Sequence, residues 1–198
     1  SQVFGLPLAE VTPDRRRAAK AVNFGIIYGI SGFGLAKQIG CTPGEANAFI
    51  KQYLDRFHEL RDWMETTKAA VRTQGYVTTL FGRRIHIQGA QDKAPARRAF
   101  AERQAINAPI QGTAADFMNA SLGAINLAIG KGELPRRTKL ILTVYDSVIL
   151  EADARDLDAV VSGTRNIMQG WNSMGTPIVA DCKVGRSWGD LKEYHAAA

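Results

Sequence analysis

The stretch Arg15–Gly29, RRRAAKAVNFGIIYG, decides how this chain is read. Within it Arg16, Lys20, Phe24 and Tyr28 recur every four residues. A helix advances about 100° per residue, so each step of four drifts about 40° and the four side chains project from one broad face. That face carries two cations, then an aromatic ring, then a phenol, while Ala18, Ala21, Val22 and Ile26 supply an apolar set on the other side. A helix built only to fill a core would put Leu or Ile on its stripe and send Arg and Lys to water. Two readings stay open at this point. In one, the helix presents cations to phosphate oxygens and rings to a sugar or a base. In the other, a solvated basic start precedes a buried aromatic end.

The pattern Arg-x-x-x-Lys-x-x-x-Phe-Gly-x-x-Tyr-Gly is met by Arg16, Lys20, Phe24, Gly25, Tyr28 and Gly29. It resembles the nucleotide-binding fingers helix of family A DNA polymerases, the bacterial DNA polymerase I type. Six fixed positions in fourteen are far more specific than a lone glycine motif. The resemblance implies that Arg16 and Lys20 hold the β- and γ-phosphates of a deoxynucleoside triphosphate, and that Lys20 also gives a proton or charge to the leaving group. It implies that Phe24 packs on the sugar and base of that nucleotide and that Tyr28 guards the template-base position.

Composition is compatible with this. A chain of 198 residues, 45% hydrophobic and 22% charged, can bury a sizeable core as one domain or two subdomains. Net charge is +6 and the pI about 9.5, which suits a polyanionic partner. No run reaches the roughly 18 apolar residues of a membrane span, so no membrane is expected, and no obligate protein partner is inferred; the resemblance implies a bacterial cytoplasmic place, at the nucleoid. Cys41 and Cys182 suggest a reduced compartment and small buried hydrophobes, and His58, His86 and His195 are too scattered for a metal cluster. The chain begins with Ser1, and the expectation is a piece of something longer.

In chain order, Val3, Phe4, Leu6 and Leu8 are expected to pack under the first helix, which Thr12 caps and Pro13 opens. That helix ends near Gly29, and a second runs from Phe33 to Ile39 with Gly40 as its cap. Gly32-Phe33-Gly34 is no dinucleotide fingerprint, because Lys37 stands where the third glycine belongs. Thr42-Pro43-Gly44-Glu45 forms a capping box, and the apolar period from Ala46 to Met64 predicts the longest helix, reaching about Thr73. Tyr76–Leu80 and Ile85–Ile87 then flank a hairpin with a basic tip. A similar Leu-Phe-Gly-Arg-Arg segment in the family implies that Arg83 and Arg84 approach the DNA backbone; a solvated turn is the alternative.

From Pro95 to Ala108 a basic helix is expected, broken or kinked at Pro109, with a further helix from Gln111 to Ile129. The run Arg103-x-x-x-Asn107-x-x-x-Gln111-Gly-Thr-Ala-Ala-Asp116 resembles the second long motif of the family. The resemblance implies that Arg103, Asn107 and Gln111 touch the minor groove and sugar edge of the new base pair. Minor-groove acceptors occur in every base pair, so amide and guanidinium donors test pairing geometry without reading sequence. Asn107 and Gln111 could instead cap the two sides of a break at Pro109. Asp116 is expected to be structural.

Lys139–Val144 and Val148–Glu151 flank Tyr145-Asp146-Ser147, a hairpin with an aspartate at its apex. In the family this hairpin belongs to the palm sheet and its triplet is His-Asp-Glu, whose Asp binds the catalytic metals. Asp146 matches; Tyr145 and Ser147 depart. A phenol can still donate to the primer end, and loss of the Glu implies altered activity. A last helix from Asp153 to Gly170 and a final strand from Pro177 to Val184 follow.

The expected architecture is α+β: helical fingers over 1–94, with the nucleotide-binding helix, the long helix and the basic hairpin, then a C-terminal palm portion over 95–198, an antiparallel sheet with packed helices that is incomplete on its N-terminal side. The expected activity is template-directed DNA synthesis on primer–template DNA with dNTPs. It uses two Mg²⁺ ions, one ligand being Asp146 and the other an aspartate outside this chain, so the 198 residues alone are expected to be inactive. A non-catalytic nucleic-acid-binding module and a relative of single-subunit RNA polymerases are the alternatives.

Overall fold

A computed structural model describes residues 7–171 and 175–194, without the side chains of residues 8, 14, 15 and 18. The expected packing of Val3, Phe4, Leu6 and Leu8 lies outside the described residues, as does His195. The chain is α+β and divides into two compact units, 1–112 and 113–198.

In the first unit a 3₁₀ turn at Leu8–Glu10 precedes α1 (Pro13–Ile27) and α2 (Gly32–Ile39). The Thr12 carbonyl accepts the Arg16 N–H, which starts α1 where Pro13 predicts it. At the other end Gly29 turns left-handed (φ 73°), and its N–H and that of Ile30 donate back to Ile26 and Gly25. That paired closure satisfies carbonyls the helix would otherwise leave open. Ser31 caps α2 through Gly34 N–H, and Gly40 (φ 74°) ends it. In α3 (Pro43–Arg56) the Thr42–Glu45 capping box forms as expected. Val22 and Ile26 of α1 bury against Leu35, Ala36 and Ala46, with Cys41, Phe49, Ile50, Tyr53 and Leu54 around them. Burying a side chain such as Ile26 contributes roughly 1.5–3 kcal/mol.

The single long helix expected over 43–73 is two helices, α3 and α4 (His58–Gln74). Phe57, at φ −106° and ψ 60°, caps the first and opens the second. Its ring tilts against Tyr53 at 4.8 Å between centroids, and Arg61 reaches back across the break to Asp55. The interruption falls at a residue that is neither Gly nor Pro.

Strands β1 (Tyr76–Thr78) and β2 (Arg84–His86) pair antiparallel, Val77 opposite Ile85. Helix α5 (Pro95–Lys131), 37 residues, is the longest described element and continues through Pro109. The expected break is therefore absent. Pro109 removes the N–H that would meet the Ala105 carbonyl, yet flanking turns stay helical because Ala101, Ala105 and Ala108 pack with Val71, Val77, Ile85 and Ile87. Gly132 (φ 78°) and Glu133 close α5 with the same paired bonds that end α1.

In the second unit β3 (Lys139–Val144) and β4 (Ser147–Glu151) form a hairpin. The register slips between Leu140 and Leu142, so Ile141 is a bulge. A short 3₁₀ turn, Ala154–Asp156, leads into α6 (Leu157–Gln169). Ile125, Ala128 and Leu134 form the local core with Val148, Leu150, Ile167 and Met168. The expected final strand over 177–184 shrinks to β5 (Lys183–Val184), paired with β6 (Lys192–Glu193). Before it, α6 side chains take the backbone groups a ladder would use: Arg165 donates to the Ala180 carbonyl and Gln169 accepts its N–H. Among the described residues, no helix is long and apolar enough to cross a membrane.

Candidate nucleotide and nucleic-acid site

Helix α1 presents Arg16, Lys20 and Phe24 on its exposed side, with Tyr28 half-buried at its end. The Lys20 ammonium lies 5.6 Å from the Phe24 ring centroid, and the Phe24 and Tyr28 rings stack at 5.8 Å with 22° between planes. Phe24 stays 44% exposed. The helix thus separates its two faces: Val22 and Ile26 bury, while in a cation–ring–phenol ladder Arg16, Lys20 and Phe24 face solvent and Tyr28 stacks half-buried on Phe24. The reading of a buried aromatic end does not hold for Phe24. Exposure of a ring beside a cation is costly for a core and useful for a planar, phosphorylated ligand.

Gly29 brings α5 to the end of this ladder. A Cβ there would sit 3.2 Å from Arg103 Cγ and 3.8 Å from Ile106 Cδ1, in a left-handed backbone that already favours glycine. Arg103 places its guanidinium 5.9 Å from the Phe100 ring. One helical turn on, Asn107 keeps a buried Oδ1 without a hydrogen-bond partner, and Gln111 is exposed. The turn between them contains Pro109, and both amides sit within one continuous helix, so neither caps a break.

The connection of the hairpin β1–β2 contains Arg83, and Arg84 opens β2; both are exposed. The outermost residues of the hairpin are Leu80, 75% exposed, and Phe81, with Gly82 (φ 81°) closing the turn. Arg83 donates from Nη2 to the Gly112 carbonyl at 3.1 Å, and Arg84 lies over Tyr76 at 4.8 Å.

Asp146 belongs to the second unit, at the apex of β3–β4 next to Tyr145. Both are exposed, Tyr145 at 95%. Tyr145 is the only non-glycine residue with positive φ among the described residues, at 54°. A closing pair Val144–Ser147 with two residues between demands such a conformation. Asp146 offers one carboxylate, and Ser147 adds a hydroxyl where a second carboxylate would serve a cation better. No group of three His, Cys, Asp or Glu that could hold a metal ion occurs among the described residues, so the residues present do not complete a two-ion clamp.

The sequence picked out these residues but not the environment of Arg83, whose link to Gly112 spans 29 positions. Nor did it pick out Phe100 as the ring beneath Arg103, an i,i+3 pair visible in hindsight.

The family model described as DNA polymerase family A matches residues 1–190. DNA polymerase I of Pseudomonas aeruginosa is 44% identical over 188 residues, covering 95% of this chain and 20% of the relative. Thermostable DNA polymerase I of Thermus aquaticus is 37% identical, covering 98% of this chain and 23% of the relative. Among solved structures, the POL domain of Pol1 from M. smegmatis in complex with DNA primer-template and dNTP aligns with a TM-score of 0.80 at 35% identity, over 86% of this chain and 30% of that one. The chain spans about a fifth of the length of the curated relatives it matches.

Proposed function

The chain belongs to DNA polymerase family A, and from that premise we propose that it forms the nucleotide-binding fingers (1–94) and the C-terminal palm portion (95–198) of a template-directed DNA polymerase acting at the bacterial nucleoid. The observation that carries the proposal is the ladder of α1, in which exposed Arg16, Lys20 and Phe24 lead to half-buried Tyr28 just past the helix end.

In this reading Arg16 and Lys20 bind the β- and γ-phosphates of a dNTP through charge-assisted contacts. Phe24 packs on the sugar and base, and Tyr28 occupies the template-base position until pairing displaces it. Arg103, Asn107 and Gln111 donate to minor-groove acceptors of the nascent pair, which every correct pair presents in the same place. Tyr145 donates to the primer end, and Arg84 approaches the DNA backbone. The primer 3′-oxygen bonds to the α-phosphorus as the bond to pyrophosphate breaks, and Lys20 neutralises the departing charge. Two Mg²⁺ ions, when bound, would polarise the α-phosphate and the attacking hydroxyl. Asp146 is our ligand assignment from this chain, and a second aspartate outside it completes the set.

The test is primer extension by the intact protein that contains this chain, with dNTPs and with rNTPs. Extension with dNTPs that is abolished by Asp146→Asn, with primer–template binding retained, is expected. Residues 1–198 by themselves should give none. Unimpaired extension by Asp146→Asn would refute the assignment, and DNA binding without incorporation by the intact wild type would point to a non-catalytic module.

A further inference from the structure

The turn of α5 that follows Asn107 holds both Pro109 and Gly112. Pro109 leaves the Ala105 carbonyl without its i+4 donor, and Gly112 costs a helix about 1 kcal/mol relative to Ala. Asn107 and Gln111 lie beside and within that turn. The hairpin β1–β2 sits against it. Gly112 admits the hairpin because it lacks a side chain: a Cβ there would come to 2.7 Å from both Ile85 Cδ1 and Thr79 Cγ2, and 3.3 Å from Arg83 Nη2. Thr79 is itself buried, and its hydroxyl accepts the Arg83 N–H at 3.2 Å. The Arg83 guanidinium then donates to the Gly112 carbonyl at 3.1 Å. Val77 and Ile87 complete the contact by packing with Ala101 and Ala105.

We propose that β1–β2 is a brace for α5 and that Arg83 is a positioning residue, fixing the pose of Gln111 through the Gly112 carbonyl instead of touching the DNA backbone. This rests on the reading above, in which Gln111 tests the nascent base pair. Arg83 is suited to it because a rigid fork directs a donor at one carbonyl, whereas an ammonium on a flexible stem does not. A small displacement of a group that checks geometry costs selectivity first, since matched and mismatched termini differ by little more than the position of their acceptors.

The experiment uses the intact polymerase and compares Arg83→Ala, Arg83→Lys, Gly112→Ala and Gln111→Ala. For each, binding and extension of matched and mismatched primer termini are measured across a salt series, with a thermal melt to confirm folding. The brace predicts that both Arg83 variants lose about tenfold in match-over-mismatch selectivity while the salt dependence of DNA binding stays unchanged. Gly112→Ala should do the same with the arginine charge intact, because the hairpin is pushed off the helix. If instead Arg83→Ala weakens all DNA binding equally, lowers the salt slope by about one and is rescued by Lys, Arg83 is a phosphate contact and the brace is wrong. Selectivity lost in Gln111→Ala but retained in folded Arg83→Lys and Gly112→Ala also overturns it. Full selectivity in Gln111→Ala would instead remove the reading of Gln111 on which the brace rests.

Discussion

Lys20 and Phe24 adjoin one another yet are assigned opposite duties, and substitution separates them. The Lys20 ammonium lies 5.6 Å from the centroid of the Phe24 ring. Hydrogen bonds to charged groups contribute roughly 1.5–3 kcal/mol, so Lys20→Ala should slow incorporation about tenfold or more in single-turnover kinetics. If the contact strengthens as pyrophosphate leaves, the loss falls on the maximal rate and not on apparent dNTP affinity alone. Phe24→Tyr keeps the ring and adds a hydroxyl toward the sugar. It should change the preference between deoxy- and dideoxynucleotides more than the overall rate, which competition on a single template position reads directly. Tyr145 poses a different question at the same scale. Its φ of 54° costs an ordinary residue roughly 1–2 kcal/mol, and its 95% exposure returns no burial. Tyr145→Asn, which tolerates that backbone, should raise stability to denaturant by about 1 kcal/mol while weakening primer-end binding. An unchanged midpoint would show that the phenol, not the backbone, sets the energy of the apex.

Among the elements, the 3₁₀ turn Ala154–Asp156 that leads into α6 and strand β3 differ in how well they are supported. Asp153 accepts the Arg155 N–H and pairs with its guanidinium at 2.7 Å, which together hold its carboxyl down at about 2. Arg137 adds a weaker attraction at 3.9 Å. Because the folded value lies below the ordinary aspartate range, the carboxylate stabilises the 3₁₀ turn Ala154–Asp156, which leads into α6, at pH above about 4. That contribution declines as pH falls and is gone once pH drops through the folded value. Asp153→Asn should therefore lower the melting temperature near neutral pH, and the gap to wild type should close toward pH 2. A pH-independent gap would mean that capping geometry alone matters. Strand β3 has no such support. Leu140, Ile141 and Leu142 are 37%, 54% and 42% exposed, and β3 pairs on one side only among the described residues.

For the whole molecule, that strand sets solution behaviour. An apolar strand with an open hydrogen-bonding edge is a template for another chain, and a net charge of +6 opposes association only weakly at physiological salt. The 198-residue chain should self-associate with rising concentration in sedimentation velocity, and Ile141→Lys, at the bulge, should return it toward monomer. A concentration-independent monomer for the unaltered chain would show that the edge is protected.

Local rules were legible in the sequence where one residue and its near neighbours decide the outcome. Thr12-Pro13, Thr42-Glu45, Gly40 and the four-residue spacing from Arg16 to Tyr28 gave helix starts, helix ends and the presented face, because capping and helical period act over a single turn. The apex position of Asp146 followed from two β-branched runs around a polar triplet. Only tertiary structure decided the rest. It broke the apolar period at Phe57, carried α5 through Pro109, and let Arg165 and Gln169 take the backbone of Ala180 in place of a strand. It also paired the Arg83 guanidinium with the Gly112 carbonyl. At Pro109, Ala180 and Arg83 the local preference, worth about 1–3 kcal/mol, was outweighed by contacts from residues 11 or more positions away, which no local window contains.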